Sequence, residues 1–403
     1  MARRAGRRPR VWGWAAAALG LAASVSGCAA GRPPRAARPE APAGADPLPR
    51  VELLGEALLP TGAVLAHDPD IDVGGLSGCV TDPDTGLVYA VSDDRKRPGV
   101  VVLRLAMVPG GLGITPEAFV PLGGRAPDGT ASIPLDLEGL ARLPGGALVV
   151  ASEGEGDVVP RRSPGLLLLD AVGRPLGVIA MPRAFVPEAT GPRSRGVRPN
   201  LAFESLTRTP DGRLFTGTEG PLLQDGEEPT FERGARTRLL EIVPEAGTWR
   251  PAREFVYPIE AVPRPPGFGA SRGTTGLAEL LALDDARLLA LERSFVRESG
   301  GQGRVANAVR LFLADLRGAD DVSAMPSLRG VLPRPVTKRL VLDLASLAPR
   351  LSPRLAALEN FEGLCEGPRL PDGGRTLLLV SDNNFNASQV TAFLLFRLHL
   401  RQP

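Results

Sequence analysis

From residue 51 onward the chain is built of short runs rich in Val, Leu and Ala, cut at close intervals by Pro, Gly and Asp. Runs of this length, bounded by turn formers, predict β-strands. The clearest helical stretch is residues 347–358, and Pro349 and Pro353 interrupt it. Proline inside a helix removes a hydrogen bond and clashes with the preceding turn, so little helix is expected there. The 48 glycines and 41 prolines argue the same way. One all-β domain is expected over residues 51–403.

Five segments within it resemble one another. They are Gly75-Leu-Ser-Gly with Ser92-Asp-Asp94, Asp136-Leu-Glu-Gly with Ser152-Glu153, and Phe203-Glu-Ser-Leu with Thr218-Glu219. The last two are Gly276-Leu-Ala-Glu with Leu291-Glu-Arg293, and Phe361-Glu-Gly-Leu with Ser381-Asp382. In each, a polar motif opens one strand and a second strand closes on another polar group. The pairs Ser77/Ser92, Glu138/Glu153, Glu204/Glu219, Glu279/Glu292 and Glu362/Asp382 are each symmetric about a turn sequence. A hairpin would bring the two members of every pair together at its open end.

Carboxylates facing each other on adjacent strands repel. Their recurrence asks for a common cause. Sheets radiating from an axis would gather the hairpin ends at one place, where a cation would relieve the repulsion. That arrangement is a β-propeller. The long spacing between repeats suggests about six blades with insertions.

The N-terminus adds a destination. Five arginines and no acid fill the first ten residues, an apolar run follows to Val25, and Val25-Ser-Gly-Cys28 closes it. At roughly 15 residues the run is shorter than the ~20 a membrane span needs. It fits a secretory leader over residues 1–28, with Cys28 as a lipidated residue. Residues 29–50 are rich in Pro, Ala and Arg and read as a tether. Localisation in the cell envelope, outside the cytoplasm and anchored through that lipid, is therefore expected. Without the leader's five arginines, 42 basic residues face 45 acidic ones. That balance gives no reason to expect a nucleic-acid partner, and a monomer is expected. Of the remaining cysteines, Cys79 and Cys365 are expected as buried thiols. The alternative is a bridge between neighbouring first and last blades.

The same residues, taken in order, resemble the phytase-like family, known for a reported esterase-like activity. The pattern continues through Arg198-Pro-Asn200, Thr218-Glu-Gly-Pro-Leu222, Lys338-Arg-Leu-Val-Leu-Asp-Leu344 and Ser381-Asp-Asn-Asn-Phe385, and spans residues 70–398. Ala202 and Ser205 depart from it, each standing where a glycine is expected. The resemblance implies a propeller and, less directly, hydrolysis of a small ester or phosphoester.

Candidate chemistry follows from side-chain type. Asp136, Glu138, Glu153, Glu204, Glu219, Glu362, Asp382 and Asn383 offer the hard oxygen donors that calcium takes. Against this stands a purely structural use, with the acids bound to backbone amides or to Arg95, Arg198 and Arg293. Zinc and a Ser-His-Asp triad are disfavoured, because His67 and His399 are the only histidines. Glu138, Glu204 and Arg293 are the candidate catalytic residues, with Arg95 and Arg293 as anion contacts. The competing expectation is a non-catalytic envelope module that binds a ligand or partner on the same acidic face.

Overall fold

The computed structural model describes residues 47–108, 111–123, 136–299 and 303–400. The leader, most of the tether and Cys28 lie outside the described residues. Strand β1 (Arg50–Pro60) and a ribbon of β2 (Val64–Leu65) and β3 (Asp68–Asp72) come first. Blade 1 is β4 (Leu76–Thr81), β5 (Val88–Ser92), β6 (Gly99–Val108) and β7 (Gly111–Pro121). Blade 2 is β8 (Leu137–Arg142), β9 (Leu148–Ser152), β10 (Gly165–Leu169) and β11 (Pro175–Ile179). Blade 3 is β12 (Phe203–Arg208), β13 (Leu214–Thr218), β14 (Ala235–Glu245) and β15 (Thr248–Ile259). Blade 4 is β16 (Ser271–Ala282), β17 (Arg287–Glu298), β18 (Val305–Asp315) and β19 (Thr337–Asp343). Blade 5 is β20 (Asn360–Glu366), β21 (Arg375–Asp382) and β22 (Val390–His399), completed by β1.

The protein is thus an all-β propeller, as the repeats predict, with five blades. Each repeat is one whole blade, and there is no sixth among the described residues. The long repeat spacing comes from strands of up to twelve residues, such as β15 to β17, and from long connections such as residues 180–202. The expected helix is a 3-10 segment, Leu344–Arg350, with the Asp343 carboxylate accepting from the Ala345 amide at its start. Pro349 lies inside it and Pro353 just beyond.

Hydrophobic periodicity explains how the blades stack. Leu148 and Val150 of β9 pack toward blade 1, while Val149 and Ala151 pack toward blade 3. In β21, Leu377 and Leu379 face blade 4, while Leu378 and Val380 face blade 1. Successive side chains of a strand point to opposite faces. Both faces of these sheets are covered, so the strands read as continuous apolar runs. Five buried clusters fill the five wedges between neighbouring blades. Each large side chain buried there contributes about 1.5–3 kcal/mol relative to exposure.

The circle is closed twice. β1 pairs antiparallel with β22, from Arg50 opposite His399 to Pro60 opposite Val390. Nearer the axis, a disulfide joins Cys79 of β4 to Cys365 of β20. This corrects the expectation of two buried thiols. The motifs put the cysteines at equivalent places on the first and last blades, and closure makes those blades neighbours. The bond spans 286 residues, so it restricts the unfolded chain strongly. Replacing both cysteines with alanine is expected to cost about 2–4 kcal/mol, read by guanidinium unfolding. The β1–β22 ladder should keep the fold closed. A loss below about 0.5 kcal/mol, the usual range of surface substitutions, would contradict this role for the bond.

Candidate functional site: an acidic ring at the axis

In every blade the first hairpin carries a one-residue bulge at the same place. The register slips between Leu76 and Cys79, Leu137 and Leu140, Phe203 and Ser205, Leu277 and Glu279, and Phe361 and Gly363. A bulge leaves one residue without a partner and re-aims its side chain. Counting from these slips, Ser77, Glu138, Glu204, Ala278 and Glu362 are equivalent. On the second strand or just past its end, one residue beyond the partner of the residue before each bulge, stand Asp93, Glu153, Glu219, Arg293 and Asp382.

Two glycines show how tightly the inner strands approach. A Cβ on Gly78 would lie 2.6 Å from the Glu138 carbonyl oxygen, and one on Gly139 would lie 2.6 Å from the Leu206 nitrogen. Only glycine fits there without moving the next blade. Ser205 and Glu279 hold the same place in blades 3 and 4. Ser205 Oγ accepts from the Gly217 amide at 2.9 Å, and Glu279 Oε1 accepts from the Leu206 and Leu280 amides at 2.8 and 2.9 Å. Side chains fill the gap that glycine closes elsewhere. Ala202, the other departure from the family pattern, donates its amide to Glu153 Oε1 at 2.6 Å.

The acids that the repeats single out converge. Burial, then Glu362, then Glu153 push the Glu138 carboxyl well above the usual carboxylate range, and Ser77 hydrogen-bonds to it. Burial and then Glu138 do the same to Glu204, and burial and Glu362 to Asp382. Glu153, hydrogen-bonded to Glu204, is pushed up to about 8 by burial first. Burial also raises Glu219 to about 7, against the pull of Arg293, and raises Asp93 to about 7 with help from Glu362. Glu138, Glu204 and Glu362 thus stand in one field. Among the described residues no three acidic, His or Cys side chains are gathered at a metal's ligand spacing.

Blade 4 breaks the pattern. The expected Glu279/Glu292 pair does not face the axis together. Glu279 bridges to blade 3, and Glu292 turns to Tyr257 (2.9 Å) and Lys338 (2.6 Å). At the equivalent positions stand Ala278 and Arg293. Arg293 Nη2 lies 2.7 Å from Glu362 and 3.3 Å from Glu219. Burial opposes its charge, but Glu362 and then Glu219 hold its pKa above the usual value. The motif signal for Ala278 was Leu-Ala-Glu where blade 2 reads Leu-Glu-Gly and blade 5 Phe-Glu-Gly. Aligning on the apolar residue rather than the acid would have found it.

The remaining predicted residues sit around this ring. Asp136 is ion-paired by Arg95, whose Nε lies 2.8 Å from Oδ1, and its backbone oxygen accepts from Glu153. Asn383 shapes a turn and joins two blades, since its Oδ1 accepts from the amides of Gly75 (3.0 Å) and Phe385 (3.1 Å). Both acceptor sites of that oxygen are therefore in use. Arg198 lies outside the ring, donating to the carbonyls of Pro221 and Gly226. Beside the ring, a cavity of about 470 Å³ is lined by Asp93, Asp94, Arg95, Lys96, Asn384 and Phe385, among others. Asp93 Oδ1 is buried there without a hydrogen-bond partner. Such orphaned acceptors are rare in native proteins.

A five-bladed propeller with a buried acidic ring and a cationic rim defines the class. Residues 71–385 match the family described as phytase-like, esterase-like activity of phytase, and the chain belongs to that family. No curated protein matches the chain. Among solved structures, a luciferin-regenerating enzyme is similar at 14% identity and a TM-score of 0.31, over 87% of this chain and 95% of that one. An exo-1,5-α-L-arabinanase from a bovine ruminal metagenomic library is similar at 10% identity and a TM-score of 0.35, over 80% and 93%.

Proposed function

We propose that this phytase-like propeller is a hydrolase of small esters or phosphoesters that works with a divalent cation, calcium first, at the acidic ring. It would act outside the cytoplasm, held to a membrane through a lipid on Cys28. The supporting observation is the ring itself. Carboxylates from four blades meet with Arg293 as their one buried counter-cation among the described residues, and burial pushes Asp93 and Glu219 up to about 7 and Glu153 up to about 8. The donor chemistry fits a hard cation, because every candidate ligand is oxygen and Asp93 Oδ1 has no partner. Asp93, Glu138, Glu204, Glu362 and Asp382 would hold it. Bound calcium would supply a Lewis acid for a phosphoryl or acyl oxygen.

The chain's own groups have distinct tasks in this reading. Arg95 and Lys96 at the rim attract and orient an anionic substrate. Glu153, with its carboxyl poised near neutral and fixed by the Ala202 amide, accepts or returns a proton through Glu204. Glu138 orients the attacking water. Arg293 is already engaged by Glu219 and Glu362, so it offsets their charge rather than reaching substrate. That same engagement favours the second reading, a module that binds a ligand on this face without turning it over.

Assays on phytate, p-nitrophenyl phosphate and p-nitrophenyl acyl esters, with calcium or with chelator, separate the two. The enzyme reading expects turnover that disappears in chelator and falls at least ~100-fold in Glu138→Gln, the scale of a lost acid–base or electrostatic group. Turnover indifferent to both, or absent on every substrate, contradicts it.

A further inference from the structure

The inner strands run from the acidic ring to a second cavity at the other end of the axis, and its lining has the opposite character. About 440 Å³ in volume, it is walled by the ends of all five inner strands and carries Arg142, Arg208, Arg369, Arg375 and Glu366. Four residues after each bulge, the blades present Thr81, Arg142, Arg208, Ala282 and Glu366 at equivalent places. Neighbouring blades 2 and 3 thus each supply an arginine to the cavity, and blade 4 has the small Ala282 at this place. Leu140, Leu206 and Leu280 pack beneath it, buried.

The cations outnumber their acceptors. Arg142 lies 3.3 Å from Asp82, and Arg375 is ion-paired with Glu366. The Arg208 side chain has no hydrogen bond or ion pair among the described residues, and its Nε is buried without an acceptor. Nε of Arg375 is in the same state. Buried N–H groups are nearly always paired in native proteins. Two arginines in this state line one cavity, and their unmet donors point to an acceptor that arrives from outside.

We propose that this lower cavity is an anion-binding site, taking a small ligand through a carboxylate or phosphate group seated on Arg208 and Arg142. The planar guanidinium fork matches either oxyanion with two parallel hydrogen bonds. The site lies at the opposite end of the axis from the ring and stands whether or not the ring is catalytic.

The test is thermal unfolding and calorimetric titration of the full chain in chelator, which keeps cations from the ring. Inorganic phosphate and acetate serve as probes, compared in the native protein, Arg208→Gln and Arg95→Gln. Millimolar anion should raise the melting temperature of the native protein and of Arg95→Gln. The affinity should fall at least ~10-fold in Arg208→Gln, the effect of about 1.4 kcal/mol. The anion that binds more tightly identifies the headgroup. Should Arg208→Gln fail to fold, Arg208→Lys keeps the charge but removes the fork, and the same loss is expected. No binding of either anion, binding unchanged in the Arg208 variants, or binding lost only in Arg95→Gln would overturn the proposal.

Discussion

Replacing Arg293 with methionine should destabilise the protein more at pH 8 than at pH 5. At the higher pH the guanidinium is the only buried cation among the described residues that faces Glu219 and Glu362, and its removal leaves their charges uncompensated. Breaking a buried ion pair in this way costs about 3–5 kcal/mol. At the lower pH Glu219, pushed up to about 7, holds a proton, so fewer charges are abandoned and the cost shrinks. Methionine keeps much of the volume that Ala278 leaves open, which limits any cavity contribution. Urea unfolding at the two pH values gives the comparison. A loss equal at both, or below about 1 kcal/mol, would mean that Arg293 does not neutralise the ring.

A second large effect concerns the whole protein. Asp93 and Glu219 are pushed up to about 7 and Glu153 to about 8, in each case by burial first. Unfolded carboxylic acids titrate near 4. Between those limits the folded protein binds more protons than the unfolded chain, so stability falls as pH rises. The ring's contribution is fully present below about pH 4 and is lost as pH climbs through 7 to 8. The drop should be on the order of a few kcal/mol, since a tenfold change in a carboxyl's proton affinity corresponds to about 1.4 kcal/mol and the groups share one field. Calcium should flatten the profile by replacing the protons. Melting temperatures measured across this range, in chelator and in millimolar calcium, check both statements. A chelated protein that becomes more stable toward pH 8 would contradict the direction.

Much of the architecture was legible because propeller blades repeat their constraints. The recurring acid-turn-acid segments located all five inner hairpins, and their symmetry about Gly- and Asp-rich turns gave the strand pairing to within two residues. One of those two is the bulge. Simple counting places Glu138 opposite Glu153, whereas the ladder sets Asp136 opposite Glu153 and leaves Glu138 between partners. Nothing in composition or period marks an inserted residue, because the apolar alternation resumes on the far side. The same slip hid blade 4, where Glu279 looked like a ring member and is a strut to blade 3. Asn383 looked like a ligand because its amide suits calcium, yet its oxygen closes a turn and caps Gly75. Long-range consequences were least visible. The Cys79–Cys365 bond depends on closure of the circle, and the lower cluster of arginines on strands that are neighbours only once the blades are assembled.

Calorimetric titration of the protein with calcium at pH 7, repeated in two buffers of different ionisation heat, addresses the ring most directly. One ion should bind per chain, with protons released to the buffer, and Glu138→Gln combined with Glu362→Gln should abolish both signals. Binding with no proton release, or no binding at millimolar calcium, would contradict a cation site among these carboxylates.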